Sequence, residues 1–264
     1  MTGSPTLLLN GTDPFATVTV APSLSCRLYR GDQGQVVRIP STDQLRTALT
    51  AATSPTAVLS AWRTRALPLD PAEKTTHQTI LRTFATTGAP PTPEQLSTST
   101  SGLPGGRRVG EVLGGLHGMD AIRLRGGGEI VVAYPFSALP TRHRVRIAGQ
   151  VDVYAMCAID ALGIAPMLGR PTSIRSSDPT SGEAISMAMN GDETTWTPPT
   201  TVAFIGADAP GPSADTCCNY LNFFATPDAA KAWTAAHPEV PGQILTQSEA
   251  LDLAARLFGH LLDP

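Results

Sequence analysis

Over the first 52 residues short apolar runs alternate with turn residues: Thr6 to Leu9 ahead of Asn10-Gly11, then Cys26 to Tyr29, then helical spacing from Thr42 to Ala51 behind Ser41. A serine in that place suits a helix N-cap, so the stretch predicts a β-β-α piece. Residues 53 to 70 form a junction closed by Pro68 and Pro71. Beyond it, Ile80, Leu81 and Phe84 repeat at helical spacing between His77 and Thr86, and Pro90-Pro91-Thr92-Pro93 interrupts the pattern. Thr92 or Pro93 opens a second short helix, and Val109 to Leu116 makes a third. Ala121 to Arg125 and Glu129 to Tyr134 flank Gly126-Gly127-Gly128, which predicts a hairpin, because glycine accepts the positive φ of a tight turn. The Ser, Thr and Gly of 97 to 106 cannot bury enough apolar surface to order themselves and predict a flexible loop. After Arg146 the pattern predicts a helix from Val153 to Leu162 and strands near Thr172 to Arg175, Ala184 to Met189, Thr201 to Ile205 and Asn219 to Ala225. Two helices close the chain: Pro227 to Ala236 behind Thr226, and a capping-box helix opened by Thr246 with Glu249 and running to Leu262.

These elements place the chain in the α+β class, with divisions at 1–52, 53–70, 71–145 and 146–264. Three short helices followed by a two-stranded wing give 71–145 the outline of a winged helix, and 146–264 is expected to be a core of small antiparallel sheets with flanking helices. Residues 1–52 resemble the C-terminal half of a thioredoxin-like domain, with Ser4-Pro5-Thr6 carrying the loop proline before an edge strand. The stretch lacks the Cys-x-x-Cys half of such a domain and reads as a remnant or a truncated fusion whose strand edge is expected to need cover.

Composition narrows the function. Hydrophobic residues make up 41% of the 264, enough for a core and too many for a disordered chain. The formal charge of −3 offers no footprint for a polyanion, and eight Lys or Arg against six acids in 70–145 is a thin excess for phosphate contacts. Neither nucleic acid nor membrane is therefore an expected partner. No run approaches the roughly 18 apolar residues of a membrane span, and the start MTGSPTLLLNGTDPF lacks the basic segment and long apolar run of a signal peptide, so a cytoplasmic location is expected. A reducing compartment keeps the four cysteines, Cys26, Cys157, Cys217 and Cys218, as thiols. No Cys-x-x-Cys knuckle, P-loop, nucleophile elbow or His-Glu-x-x-His occurs, and His77, His117, His143, His237 and His260 show no metal-ligand spacing, which leaves the thiols to carry any chemistry.

Cys157 and Asp160 stand three apart in Tyr154-Ala-Met-Cys-Ala-Ile-Asp, so on a helix they share one face. A carboxylate in apolar surroundings takes up a proton sooner than stay charged, and beside a thiol it becomes a proton donor. Asp215-Thr-Cys217-Cys218 opens the expected strand at 219, so one of the two vicinal sulfurs is expected to turn toward Cys157. Two sulfurs and an acid suit a soft, low-coordinate metal better than zinc. Cys26, mid-strand with no neighbouring cysteine, reads as core.

YAMCAIDALG followed by TCCNYLNFFATPDAAKAW resembles the two signature segments of the organomercurial (alkylmercury) lyases, over about residues 71 to 264. The resemblance implies that Cys157, Asp160 and Cys217 are catalytic and hold mercury transiently, with Cys218 in a secondary place. It implies protonolysis of a carbon–mercury bond to hydrocarbon and Hg(II), without an organic cofactor. Cellular thiols would strip the mercury and pass it to a mercuric reductase. Met156, where relatives often carry an aromatic residue, bears on substrate preference. Two rival readings are a family member turned to another substrate and a winged-helix regulator that senses metal through its thiols.

Overall fold

The computed structural model describes residues 14–15, 29–31, 35–37, 39–52, 67–68, 70–99, 107–209 and 211–264. Contacts divide the chain into two units, 1–58 and 59–264. In the first, β1 (Tyr29–Arg30) pairs antiparallel with β2 (Val36–Val37), and α1 (Thr42–Ala52) follows. Ser41 and Gln44 cap α1 reciprocally: Ser41 Oγ accepts the Gln44 amide at 3.2 Å and Gln44 Oε1 accepts the Ser41 amide at 3.0 Å. Gln44 Nε2 also donates to the Arg30 carbonyl at 2.8 Å, tying helix to strand. The expected strand Thr6 to Leu9, Ser4-Pro5-Thr6, Cys26 and the junction 53–66 lie outside the described residues, as does most of the expected loop 97–106.

The second unit opens with α2 (Pro71–Thr87), α3 (Pro93–Ser99) and α4 (Val109–Gly118). The first of these begins six residues before the apolar repeat, because Asp70-Pro71 is itself a start signal: Asp70 accepts the Glu73 amide at 3.0 Å and Pro71 occupies N1. It stops at Gly88, in left-handed conformation at φ 83°, where a Cβ would also stand 2.7 Å from the Asp152 carbonyl. Arg107 bonds both Asp70 and Glu73, at 3.2 and 3.1 Å, and joins the chain before α4 to the start of α2.

There follow β3 (Ile122–Arg125), β4 (Glu129–Ala133), β5 (Phe136–Ser137), β6 (His143–Ile147), β7 (Val151–Ala155), α5 (Ala158–Leu168), β8 (Thr172–Ser177), β9 (Ala184–Asn190), β10 (Glu193–Thr197), β11 (Val202–Gly206), α6 (Ser213–Thr216), β12 (Asn222–Phe224), α7 (Pro227–Ala236), β13 (Gly242–Leu245) and α8 (Gln247–Phe258). The strands make an eight-stranded antiparallel sheet, β10-β9-β8-β6-β7-β5-β4-β3, and a three-stranded one, β12-β11-β13. Instead of only small sheets, one large sheet results. Two-residue β5 pairs with both β4 and β7, so the β3–β4 hairpin continues into the core sheet. The boundary expected at 145 falls inside β6, whose partners are β7 and β8.

The helix expected from Val153 to Leu162 is corrected. Residues Val151 to Ala155 form a strand, and the helix begins only at Ala158. Valines at 151 and 153 face Ile147 and Val145 across the ladder, while Asp152 binds Arg144 and Arg146 on the other face at 3.0 and 2.7 Å. This is the alternation of a half-buried strand. Helix α5 is buried along most of its length, against β6, β7 and β8 on one side and α8 on the other. Gly163 permits the second contact: a Cβ there would lie 2.2 Å from the Phe258 ring. Thr226 and Thr246 cap α7 and α8 as expected, the latter with Glu249 in a capping box.

Candidate active site

Because the helix starts late, Cys157 is its N-cap and Asp160 its N3 residue. The thiolate position therefore sits at the positive end of an eleven-residue helix, and Cys157 Sγ accepts the Asp160 amide at 3.4 Å. The segment that meets it also differs from expectation. Residues Ser213 to Thr216 are a short helix, Cys217 to Tyr220 a turn, and the strand begins only at Asn222. Choice between the vicinal sulfurs is thus made by a turn, and it falls on Cys218: the sulfurs of Cys157 and Cys218 and a carboxylate oxygen of Asp160 all lie within 4.8 Å of one another. The Cys217 sulfur donates instead to the Ser213 carbonyl at 3.4 Å and bonds its neighbour Cys218. The resemblance gave Cys217 the first place and Cys218 the secondary one; the sulfur that stands beside Cys157 and Asp160 is that of Cys218.

All three groups are buried, with 2%, 2% and 5% exposure for Cys157, Asp160 and Cys218. Burial raises the pKa of Cys157, opposed by the hydrogen bond from Cys218. Cys218 is raised further, first by that same bond to Cys157, then by Cys217 and by burial. Both thiols thus hold their protons more tightly than an exposed cysteine does, and the hydrogen bond between their sulfurs couples them. The two segments are clamped by the Ala158 amide, which donates to the Leu221 carbonyl at 2.9 Å.

Residues not singled out in the sequence hold the turn. Before it, the Ser213 amide donates to Asp120 Oδ2 at 2.7 Å, the Ala214 amide to the Tyr134 hydroxyl at 2.8 Å, and Arg123 pairs with Asp215 at 2.9 Å. After it, Asn222 Nδ2 donates to the Asn219 carbonyl at 2.8 Å, and its side chain bonds His143, whose Nδ1 lies 3.0 Å from Ser176 Oγ. Neither Asp120 nor His143 has a sequence signature, since each works through partners that are distant in the chain. Met156 is half-buried, its amide donating to the Pro135 carbonyl at 3.1 Å.

Burial, with the Arg142 charge, pushes His143 down to about 3 from an ordinary 6.5. The unfolded chain then binds a proton below 6.5 that the folded one refuses, so stability falls with acid between those values. A urea series is expected to show His143 contributing a loss of about 1.4 kcal/mol per pH unit from pH 6 to 4. His143→Gln should flatten that slope by the same amount.

The fold and this centre define a class: an α+β core around a buried pair of cysteine sulfurs with an adjoining carboxyl group. A family model described as alkylmercury lyase matches residues 136–259. Alkylmercury lyases from Streptomyces lividans, Staphylococcus epidermidis and Bacillus cereus are 34%, 30% and 30% identical to the chain. The matches cover 47%, 58% and 63% of the chain and 57%, 69% and 72% of those proteins, respectively. A crystal structure of the mercury-bound form of MerB2 superposes with a TM-score of 0.60 at 26% identity, covering 75% of this chain and 93% of that one. The chain belongs to the alkylmercury lyase family.

Proposed function

We propose that the protein is an organomercurial lyase of mercury detoxification, with Cys157, Cys218 and Asp160 as its reacting groups. The observation that carries this reading is the convergence of two sulfurs and a carboxylate within 4.8 Å inside the protein. An organomercurial enters as R–Hg–SR′, the adduct of a small thiol. Cys157 displaces R′SH and forms Cys157–S–Hg–R. Cys218 then coordinates mercury and gives its proton to Asp160, and the second sulfur raises electron density on the metal-bound carbon. Asp160 delivers the proton to that carbon, R–H leaves, and Hg(II) remains between Cys157 and Cys218 with Asp160 again a carboxylate. Two further small thiols carry off the mercury and restore both cysteines. A mercuric reductase is the natural acceptor. The atoms balance without an organic cofactor.

Residues 71–145 act as a structural winged helix, a reading supported by the continuity of the β3–β4 hairpin with the core sheet; residues 1–52 are a thioredoxin-like fragment. The protein's place of work in this reading is the cytoplasm; among the described residues no helix is long and apolar enough to cross a membrane. The direct test is headspace detection of methane or benzene from methyl- or phenylmercury incubated with purified protein and excess small thiol. Hydrocarbon release at enzymatic rates is the expected result; no release above a protein-free control would overturn the assignment.

A further inference from the structure

We propose that Asp120 and Tyr134 are positioning residues for Cys218, forming a latch that sets where the second sulfur stands and how readily its turn opens. The active-site groups are at most 5% exposed, so substrate reaches them only when a neighbouring segment moves. On one side Cys157 and Asp160 sit at the start of α5, a long buried helix wedged between the sheet and α8. On the other, Cys218 belongs to the connection between β11 and β12, whose described residues include one short helix and one turn. We assign the opening to the second side.

That connection is held by side chains reaching in from the α4–β4 region. Asp120 follows α4 at φ 57°, a left-handed backbone that aspartate and asparagine tolerate better than most residues. From there one carboxylate oxygen accepts the Ser213 amide at 2.7 Å and the other accepts the Tyr134 hydroxyl at 3.2 Å. The same hydroxyl accepts the Ala214 amide at 2.8 Å, so donor and acceptor capacities alternate around a closed ring. Asp120 and Tyr134 are 2% and 1% exposed, where charge-assisted hydrogen bonds are strongest and unpaired groups most costly. Arg123 adds its ion pair to Asp215 at the surface. Ser213 in turn accepts through its carbonyl from the Cys217 and Cys218 amides at 3.1 and 2.8 Å and from the Cys217 sulfur. Asp120 therefore acts on Cys218 through a single intervening residue. The latch also gives Cys217 a structural part: its sulfur buttresses the carbonyl that holds the Cys218 amide.

The catalytic consequence rests on the organomercurial lyase reading, whereas the positioning of Cys218 does not, and the experiment separates them. Full-length wild type, Tyr134→Phe and Asp120→Asn are labelled with iodoacetamide, and alkylation at Cys157 and Cys218 is followed by mass spectrometry. Both variants are expected to label Cys218 at least about tenfold faster than wild type, with Cys157 changed by less than about threefold, as loss of one buried hydrogen bond predicts. Thr246→Ala, which loosens α8 without touching the latch, should leave the ratio of the two rates unchanged. Unchanged Cys218 labelling, or equal acceleration at both cysteines, would overturn the latch. Should a buried substitution fail to fold, Arg123→Gln at the surface carries the same test, with a smaller acceleration expected at Cys218 alone and an unchanged rate overturning it. If wild type releases no hydrocarbon, the lyase assignment falls while labelling still decides the latch. If it does, kcat in Tyr134→Phe should drop about tenfold and return toward wild type in Tyr134→His, whose ring can still meet the Ala214 amide.

Discussion

Asp160→Asn is expected to lower kcat for protonolysis by about 10² to 10⁴-fold, the range ordinarily supplied by a positioned acid–base group. The substitution isolates the proton step. Asparagine keeps the backbone amide that bonds Cys157, so the sulfur retains its cap at the head of α5. Asparagine can neither take the Cys218 proton nor hand one to carbon. Mercury binding should accordingly stay at one Hg(II) per chain while hydrocarbon release nearly stops. Single-turnover measurement of methane from methylmercury, alongside a mercury titration, checks both halves. Full activity in this variant would sink the role given to Asp160.

The second large effect separates the adjacent cysteines. Cys218→Ser is expected to abolish turnover, because a hydroxyl is a poor ligand for a soft metal and leaves mercury on one sulfur only. Cys217→Ser should lose about tenfold at most, the worth of a neutral hydrogen bond, since a serine hydroxyl can still donate to the Ser213 carbonyl. The motif resemblance alone predicts the reverse ranking, so the same hydrocarbon assay on the two variants discriminates between them.

The legible part of this site was the part closest in sequence. Cys157 and Asp160 meet because they are three apart, although they do so as N-cap and N3 and not as neighbours along a formed helix. Val-Asp-Val-Tyr-Ala followed by helix-favouring Met156, Ala158, Ala161 and Leu162 blurs the change from period two to period 3.6, and pairing with β6 and β5 settles that 151–155 are extended. Caps were readable for a related reason: Thr226, Thr246 and Ser41 bond amides three residues away, so the whole device lies in one short window. The choice of Cys218 had no such window. It depends on Asp120 and Tyr134, 93 and 80 residues from their partners. Strands of two to five residues, β5, β10 and β13, were missed likewise, because their identity comes from neighbours across the sheet.

In the proposed mechanism the residue that lends its amide to the first sulfur also lends its carboxyl group to the reaction. Nucleophile and acid are therefore spaced by a single helical turn, a ruler that thermal breathing or sequence drift elsewhere hardly alters. In that mechanism, adaptation to bulkier or slimmer organic fragments falls to the residues flanking Cys218 in the opposing 211–221 segment, which can change while Asp160 keeps its place beside Cys157.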